Sequence, residues 1–251
     1  MTTYSQRAPF YNAISSTIHF SAIPTLFIEG ITSELLVNRG AARRDEESVR
    51  PCTIGFGCVR HASRDCEADR EWPADHRQVL QVLEAARKAR IRVFFTRHMS
   101  LPKELMGVSQ FRVAMAWQRV NSADEVKPWF LRDSPGFHLI PELNPLPSEA
   151  IFDKITMSAF EGTPLNIALR DCGIDAFAIV GIAMEIGIEP TVRHGADLGY
   201  IPVVVKDACG FGHRDAAARS IASLEFAGDA LLTNADTFCA QFGRIVPQTA
   251  G

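Results

Sequence analysis

The feature that most constrains this 251-residue sequence is an alternation of short apolar runs with helix-length amphipathic segments, sustained from about residue 73 to residue 233. In the first such segment, Val79, Leu80, Val82, Leu83 and Ala86 fall on one face at helical spacing, which predicts a helix over 73–90. The run RVFFTRH at 92–98 then reads as a buried strand. After a long interruption the rhythm returns with a strand at 150–154, a helix over 163–172 and a strand at 176–181. It continues with a helix over 188–198, a strand at 201–208, a helix over 214–226 and a strand at 230–233. Strands this short and apolar are those that helices cover on both faces. The predicted fold is α/β: a three-layer α/β/α sandwich around a mainly parallel, doubly wound, Rossmann-like sheet.

An apolar content of 47% supplies the core of one large domain. A formal charge of -3 with mixed signs provides no basic field for a phosphate backbone, so the expected partner is a small molecule and not nucleic acid. No apolar run approaches the roughly 18 residues of a membrane span, and the opening residues lack a basic stretch followed by an apolar one. A soluble, cytoplasmic protein is expected. Cys52, Cys58, Cys66, Cys172, Cys209 and Cys239 form no C-x-x-C pair and read as reduced thiols. The first three are irregularly spaced and lack a histidine at zinc-ligand distance, so no metal is expected there.

Two regions break the rhythm. Residues 99–150 are rich in loops and prolines, with one helix expected over 110–120, and a segment so irregular inside a compact domain is expected to wall a site. Residues 1–71 form a divergent N-terminal segment ahead of the domain at 72–251. TLFIEG at 25–30 resembles a buried first strand, whereas 39–71 mixes Arg, Cys and acids with neither helical nor strand period. A divergent surface loop and a locally changed reading frame both account for that stretch.

Within 135–210 the motifs I-P-E-L-N-P at 140–145, a strand ending in Lys154, S-A-F-E-G-T-P-L at 158–165, V-G at 180–181 and G-Y-I-P-V-V-V-K-D-A at 199–208 occur in that order. In this the chain resembles the isochorismatase-like hydrolases, over about two thirds of its length. The resemblance implies that superfamily's three-layer fold, hydrolysis of a small molecule without a cofactor, and assembly into a homodimer or larger oligomer. Most members open the helix after V-G with a nucleophilic cysteine; here the register places Gly187 at that position. The isochorismatases that cleave a vinyl ether also resemble this chain in carrying glycine there. They protonate the enol-ether carbon with a carboxylic acid, and water completes the reaction.

The candidate catalytic residues are Lys154, Glu29 and Gly187. Lys154 ends a predicted strand, and open α/β sheets bind ligands beyond the carboxyl ends of their strands. Gly187 is expected at a helix N-terminus, where free N–H groups meet negative charge and a missing side chain allows close approach. Pro190 suits a first helical turn. By resemblance, the acid ends the first strand; Glu29 is the nearest match in 25–30, whereas counting back from 92–98 places that strand near 52–57, which has no carboxylate.

Glu185 either presents a second carboxylate to the substrate or caps a helix. With Phe160, Met184 and Trp117 it makes up the expected substrate-binding set, and Trp129 and Phe130 are further aromatics able to line a pocket. His98 lies where metal-dependent nicotinamidase relatives have a D-x-H pattern, but Arg97 replaces the acidic ligand, so no metal is expected. Cys209 follows Asp207 at a strand end and is either a buried small hydrophobe or a relocated nucleophile. Three functions stay open: a cysteine-independent hydrolase, a metabolite- or partner-binding pseudoenzyme, and an amide or carbamate hydrolase with a relocated thiol.

Overall fold

A computed structural model describes residues 53–57, 77–134 and 136–242. Six strands form one sheet: β1 (Thr53–Gly57), β2 (Arg92–His98), β3 (Ala150–Lys154), β4 (Ala176–Gly181), β5 (Ile201–Cys209) and β6 (Leu231–Thr233). Their order is β3-β2-β1-β4-β5-β6, and every neighbouring pair is parallel. Parallel neighbours need crossovers, and helices supply them. These are α1 (Arg77–Lys88), α2 (Val108–Gln118), α3 (Leu165–Asp171), α4 (Glu189–Asp197), α5 (Arg214–Ala227) and α6 (Ala235–Phe242).

Strand alternation sorts the core into two layers. Val93, Phe95, Ala178, Val180, Val203 and Val205 pack against Val79, Val82 and Leu83 of α1 and Phe238 of α6. Phe94, Phe177, Ile179 and Val204 pack on the other face against Leu165 and Leu169 of α3, Val192 of α4, and Ala217 and Leu224 of α5. The expected three-layer α/β/α architecture with a parallel sheet is what forms. Helix α1 buries the same valine and leucine face its spacing predicts, and its last turn carries Arg87 and Lys88, which suit the negative end of the helix dipole. No helix among the described residues is long and apolar enough to cross a membrane.

Several boundaries differ from expectation in instructive ways. The strand at 53–57 fills the central place between β2 and β4, the placement reached by counting back from β2. Residues 25–30, and Glu29 with them, lie outside the described residues, as do Cys52, Cys58 and Cys66. Helix α4 is preceded by a wide π-turn, Met184–Ile188, that the sequence offered no means of separating from it. Helix α6 was not anticipated, because only eight residues form it and two of its turns leave little period to read. Strand β5 runs one residue beyond expectation, with a shift of register against β4 between Ile179 and Gly181.

A candidate active site at the sheet rim

At the carboxyl ends of the central strands lies a cavity bordered by Thr96, Lys154, Phe160, Ile182, Gly187 and Thr191, with Leu165, Leu169, Phe177 and Ile179 deeper in its wall. It opens on the sheet face covered by α3, α4 and α5. Strand parity explains this placement: Phe94, Thr96 and His98 alternate toward that face, as do Phe152 and Lys154 on the adjacent strand.

Lys154 is 9% exposed. Its Nζ donates to the carbonyls of Thr156 (2.7 Å) and Met157 (2.8 Å), and no carboxylate within the described residues forms an ion pair with it. Burial without a counter-charge lowers its pKa from 10.5 to about 8. Two N–H bonds to carbonyls leave the third position on nitrogen to carry either a proton or a lone pair. Such an amine can donate or accept a proton near neutral pH.

His98 pairs in register with Lys154 across β2 and β3. Its imidazole pKa falls to about 4, first through burial and then through the neighbouring ammonium charge. The ring is packed edge-on by Trp117 (centroids 5.7 Å apart) and Phe130 (5.6 Å). A neutral imidazole adds no second positive charge beside Lys154.

Gly187 borders the same cavity, but the expected bare helix opening is not bare there. The N–H groups of Ile186, Gly187 and Ile188 all point to the Ala183 carbonyl, at 3.1, 2.9 and 3.1 Å. The π-turn brings this about by widening the first turn until three donors share one acceptor. What Gly187 does offer is space. Among the described residues, a Cβ built on it meets only the carbonyl oxygens of Ile182 at 3.8 Å and Met157 at 3.9 Å, and its backbone lies outside the left-handed region. Neither the turn nor crowding requires glycine at this position.

Thr191, which sequence reasoning did not single out, ties the two sides together. Its hydroxyl donates to the Gly187 carbonyl (2.6 Å) and accepts from the Ala159 N–H (2.9 Å). Ser158 in the same loop accepts from the Phe160 N–H (3.2 Å) and lies 3.0 Å from His194 Nδ1. These bonds fix Phe160, whose ring stacks on Tyr200 and meets Phe177 edge-on. A threonine one turn after a glycine was the one available signal for the first link, since its hydroxyl commonly bonds the carbonyl four residues back.

The other expected residues are placed differently. Glu185 faces the start of α5, where Oε1 accepts from the N–H groups of Gly212 (2.7 Å) and His213 (2.6 Å). That is the capping role, directed at a neighbouring helix instead of its own. Met184 is 1% exposed and belongs to the core under α4. Trp117 packs on His98, and no residue of 99–149 borders the cavity, so that segment covers the rim beside it. Phe160 lines the cavity as expected. Burial, followed by the Asp207 carboxylate, raises the Cys209 thiol pKa far above its ordinary range. Arg97 forms an ion pair with Asp153 at 2.7 Å.

Known structures repeat this architecture. A cysteine hydrolase from Pseudomonas syringae pv. phaseolicola superposes with a TM-score of 0.64 at 19% identity, covering 77% of this chain and 92% of that one. An isochorismatase family protein from Desulfovibrio vulgaris gives 0.63 at 19% identity, covering 77% and 98%. N-carbamoylsarcosine amidase from Thermoplasma acidophilum gives 0.57 at 19% identity, covering 73% and 96%. At these identities the likeness is one of fold. The family model described as "Isochorismatase domain" matches residues 74–236, more than half of the sequence and all of the structure around the cavity, and this chain therefore belongs to the isochorismatase domain family.

Proposed function

We propose that this protein hydrolyses a small molecule without a thiol nucleophile, with Lys154 and a carboxylic acid moving the proton. The observation that carries this reading is that Lys154 and Gly187 border the same cavity. A lysine with its pKa lowered to about 8 is suited to proton transfer near neutral pH. The similar structures named a cysteine hydrolase and an amidase support hydrolysis as the reaction class. Glycine at 187 supports a route that does not use the thiol those relatives' family more often places there. A relocated thiol at Cys209 is disfavoured, because burial keeps it protonated and only the thiolate is a nucleophile.

Of the two carboxylate candidates, Glu185 is engaged in holding Gly212 and His213, which leaves Glu29 as the proposed acid. Cleavage of a vinyl ether fits this pairing: the acid protonates carbon, water adds to the resulting cation, and the adduct breaks into a ketone and an alcohol. Assay of isochorismate, small esters, amides and carbamates with the wild type, Lys154→Met and Glu29→Gln tests it. Turnover of one of these by the wild type, lowered at least about a hundredfold in each variant, is expected. Full activity in Lys154→Met removes the mechanism.

A second reading is favoured by one observation: no carboxylate among the described residues borders the cavity. A protein that binds a metabolite without converting it needs none. Saturable binding of one of these compounds, with no turnover at high protein concentration, establishes that reading.

A further inference from the structure

The space over Gly187 is bounded in a way that the packing of the turn does not explain. The position of a Cβ there has ordinary backbone geometry and no heavy atom of the described residues closer than 3.8 Å, so these residues leave room for a side chain that the sequence omits. Its nearest neighbours are two acceptors, the carbonyls of Ile182 and Met157. Ile182 borders the cavity, and its carbonyl accepts no hydrogen bond from the described residues. The Met157 carbonyl accepts from Lys154 Nζ at 2.8 Å and keeps its second lone pair. Among the described residues the rest of the wall is almost entirely apolar, with only Thr96 and Thr191 adding polar side-chain atoms.

We infer that this space is the seat of the hydrolytic water, held between the Ile182 and Met157 carbonyls and delivered to substrate by Lys154. Two acceptors and one amine offer the two to four polar partners that an ordered water needs, in a pocket that otherwise repels it. The inference rests on the hydrolase reading above and assigns the second reactant a place within it. With the Lys154 amine neutral, the water keeps one O–H on the Ile182 carbonyl and turns the other from the Met157 carbonyl to the amine lone pair; its oxygen then bonds to the electrophilic carbon as that proton passes to the amine. The bond from that carbon to the leaving oxygen or nitrogen breaks, and the leaving atom takes the same proton back from the ammonium. Glycine is needed because any side chain at 187 would stand where the water must be.

The test is a high-resolution crystal structure of the full chain and of Gly187→Ala. In the wild type an ordered water is expected within hydrogen-bond reach of Lys154 Nζ and the Ile182 carbonyl, and in Gly187→Ala the methyl group displaces it. A dry wild-type site, or a water unmoved by the alanine, overturns the seat. Solution measurements add a second arm: the thiol introduced by Gly187→Cys is alkylated by iodoacetamide near pH 7 at least about tenfold faster than the same thiol in a Gly187→Cys, Lys154→Met double variant. Equal rates overturn the placement beside Lys154. Both arms are independent of turnover, so a protein inactive on every substrate but positive in both would end the hydrolase reading while leaving the polar seat in place.

Discussion

The two faces of β2 and β3 at the sheet rim surround a cation in opposite ways. On one face Arg97 is neutralised by Asp153 at 2.7 Å, with Arg132 at 3.7 Å from the same carboxylate and the Phe137 ring 4.2 Å beneath the guanidinium. One residue further along the same register, on the other face, Lys154 stands beside neutral His98 with two carbonyls as its partners and no carboxylate among the described residues. The arginine, matched by a carboxylate, serves the fold. An unpaired lysine is driven toward losing its proton and can serve chemistry. The half-buried arginine keeps a counter-charge, whereas the buried lysine has none among the described residues, and that combination is what can lower a lysine's pKa.

The largest expected effect separates the faces by function. Lys154→Met lowers turnover at least about a hundredfold, while stability to urea stays level or rises by about 1 kcal/mol, because an apolar side chain replaces a charge buried at a cost. Arg97→Met does the reverse: it lowers stability by about 2 kcal/mol by leaving Asp153 poorly paired, and its effect on turnover is the smaller of the two. Urea unfolding and initial rates on the same preparations check both. If Lys154→Met is the less stable of the pair, the contrast between the faces fails.

A change in the cavity wall should come next in size. At Gly195 an added Cβ would lie 2.7 Å from the Phe177 ring and 3.0 Å from that of Phe160, and both rings line the cavity. Gly195→Ala is expected to lower stability by about 1–3 kcal/mol and to push the rings into the pocket, weakening the binding of bulky ligands more than small ones. Unchanged melting would mean that α4 moves away freely.

Titration sharpens the comparison further. The folded pKa of His98, about 4, is below the ordinary 6.5, so the unfolded chain binds more protons between those values. Stability therefore rises with pH across that window and is lost as pH falls through it. For Lys154 the same sign applies between about 8 and 10.5, where stability rises as the cation is relieved of its charge. Unfolding midpoints measured against pH should show both limbs; His98→Asn flattens the acid limb and Lys154→Met the alkaline one. The smallest effect is a null result: Cys209 in the native protein stays unmodified by iodoacetamide near neutral pH, since burial holds its thiol protonated. Rapid modification would reopen the relocated-thiol route.

Much of the fold was legible because its determinants are local. The face Val79, Val82, Leu83 and Ala86 needs only helical spacing to be read, and AIFDK at 150–154 and AFAIVG at 176–181 need only an apolar run between turn residues. Lys154 was legible as a strand-end residue because it closes one of those runs, and the flanking S-A-F motif made it the site candidate. Less legible were the residues whose role depends on contacts between segments remote in sequence. Glu185 acts on Gly212 and His213, and Thr191 acts on Ala159. Their partners lie some thirty residues away, beyond the reach of any period. Trp117 and Met184 were expected at the substrate because aromatic and flexible apolar side chains suit pockets, but the same properties suit packing, and the structure uses them for that.

The sequence by itself determined a parallel α/β sandwich, since a strand that must be buried on both faces and a helix that must bury one face leave few ways to alternate. It also determined which strand ends carry a lysine and which turn carries a glycine. Only the tertiary structure decided that these two border one cavity, that the helix N–H groups beside Gly187 are already engaged, and that Lys154 bonds two carbonyls and, among the described residues, no carboxylate. Those outcomes depend on sheet order, on the parity of neighbouring strands and on the path of a single turn, and each of these is fixed by contacts between parts of the chain that carry no trace of one another in their own residues.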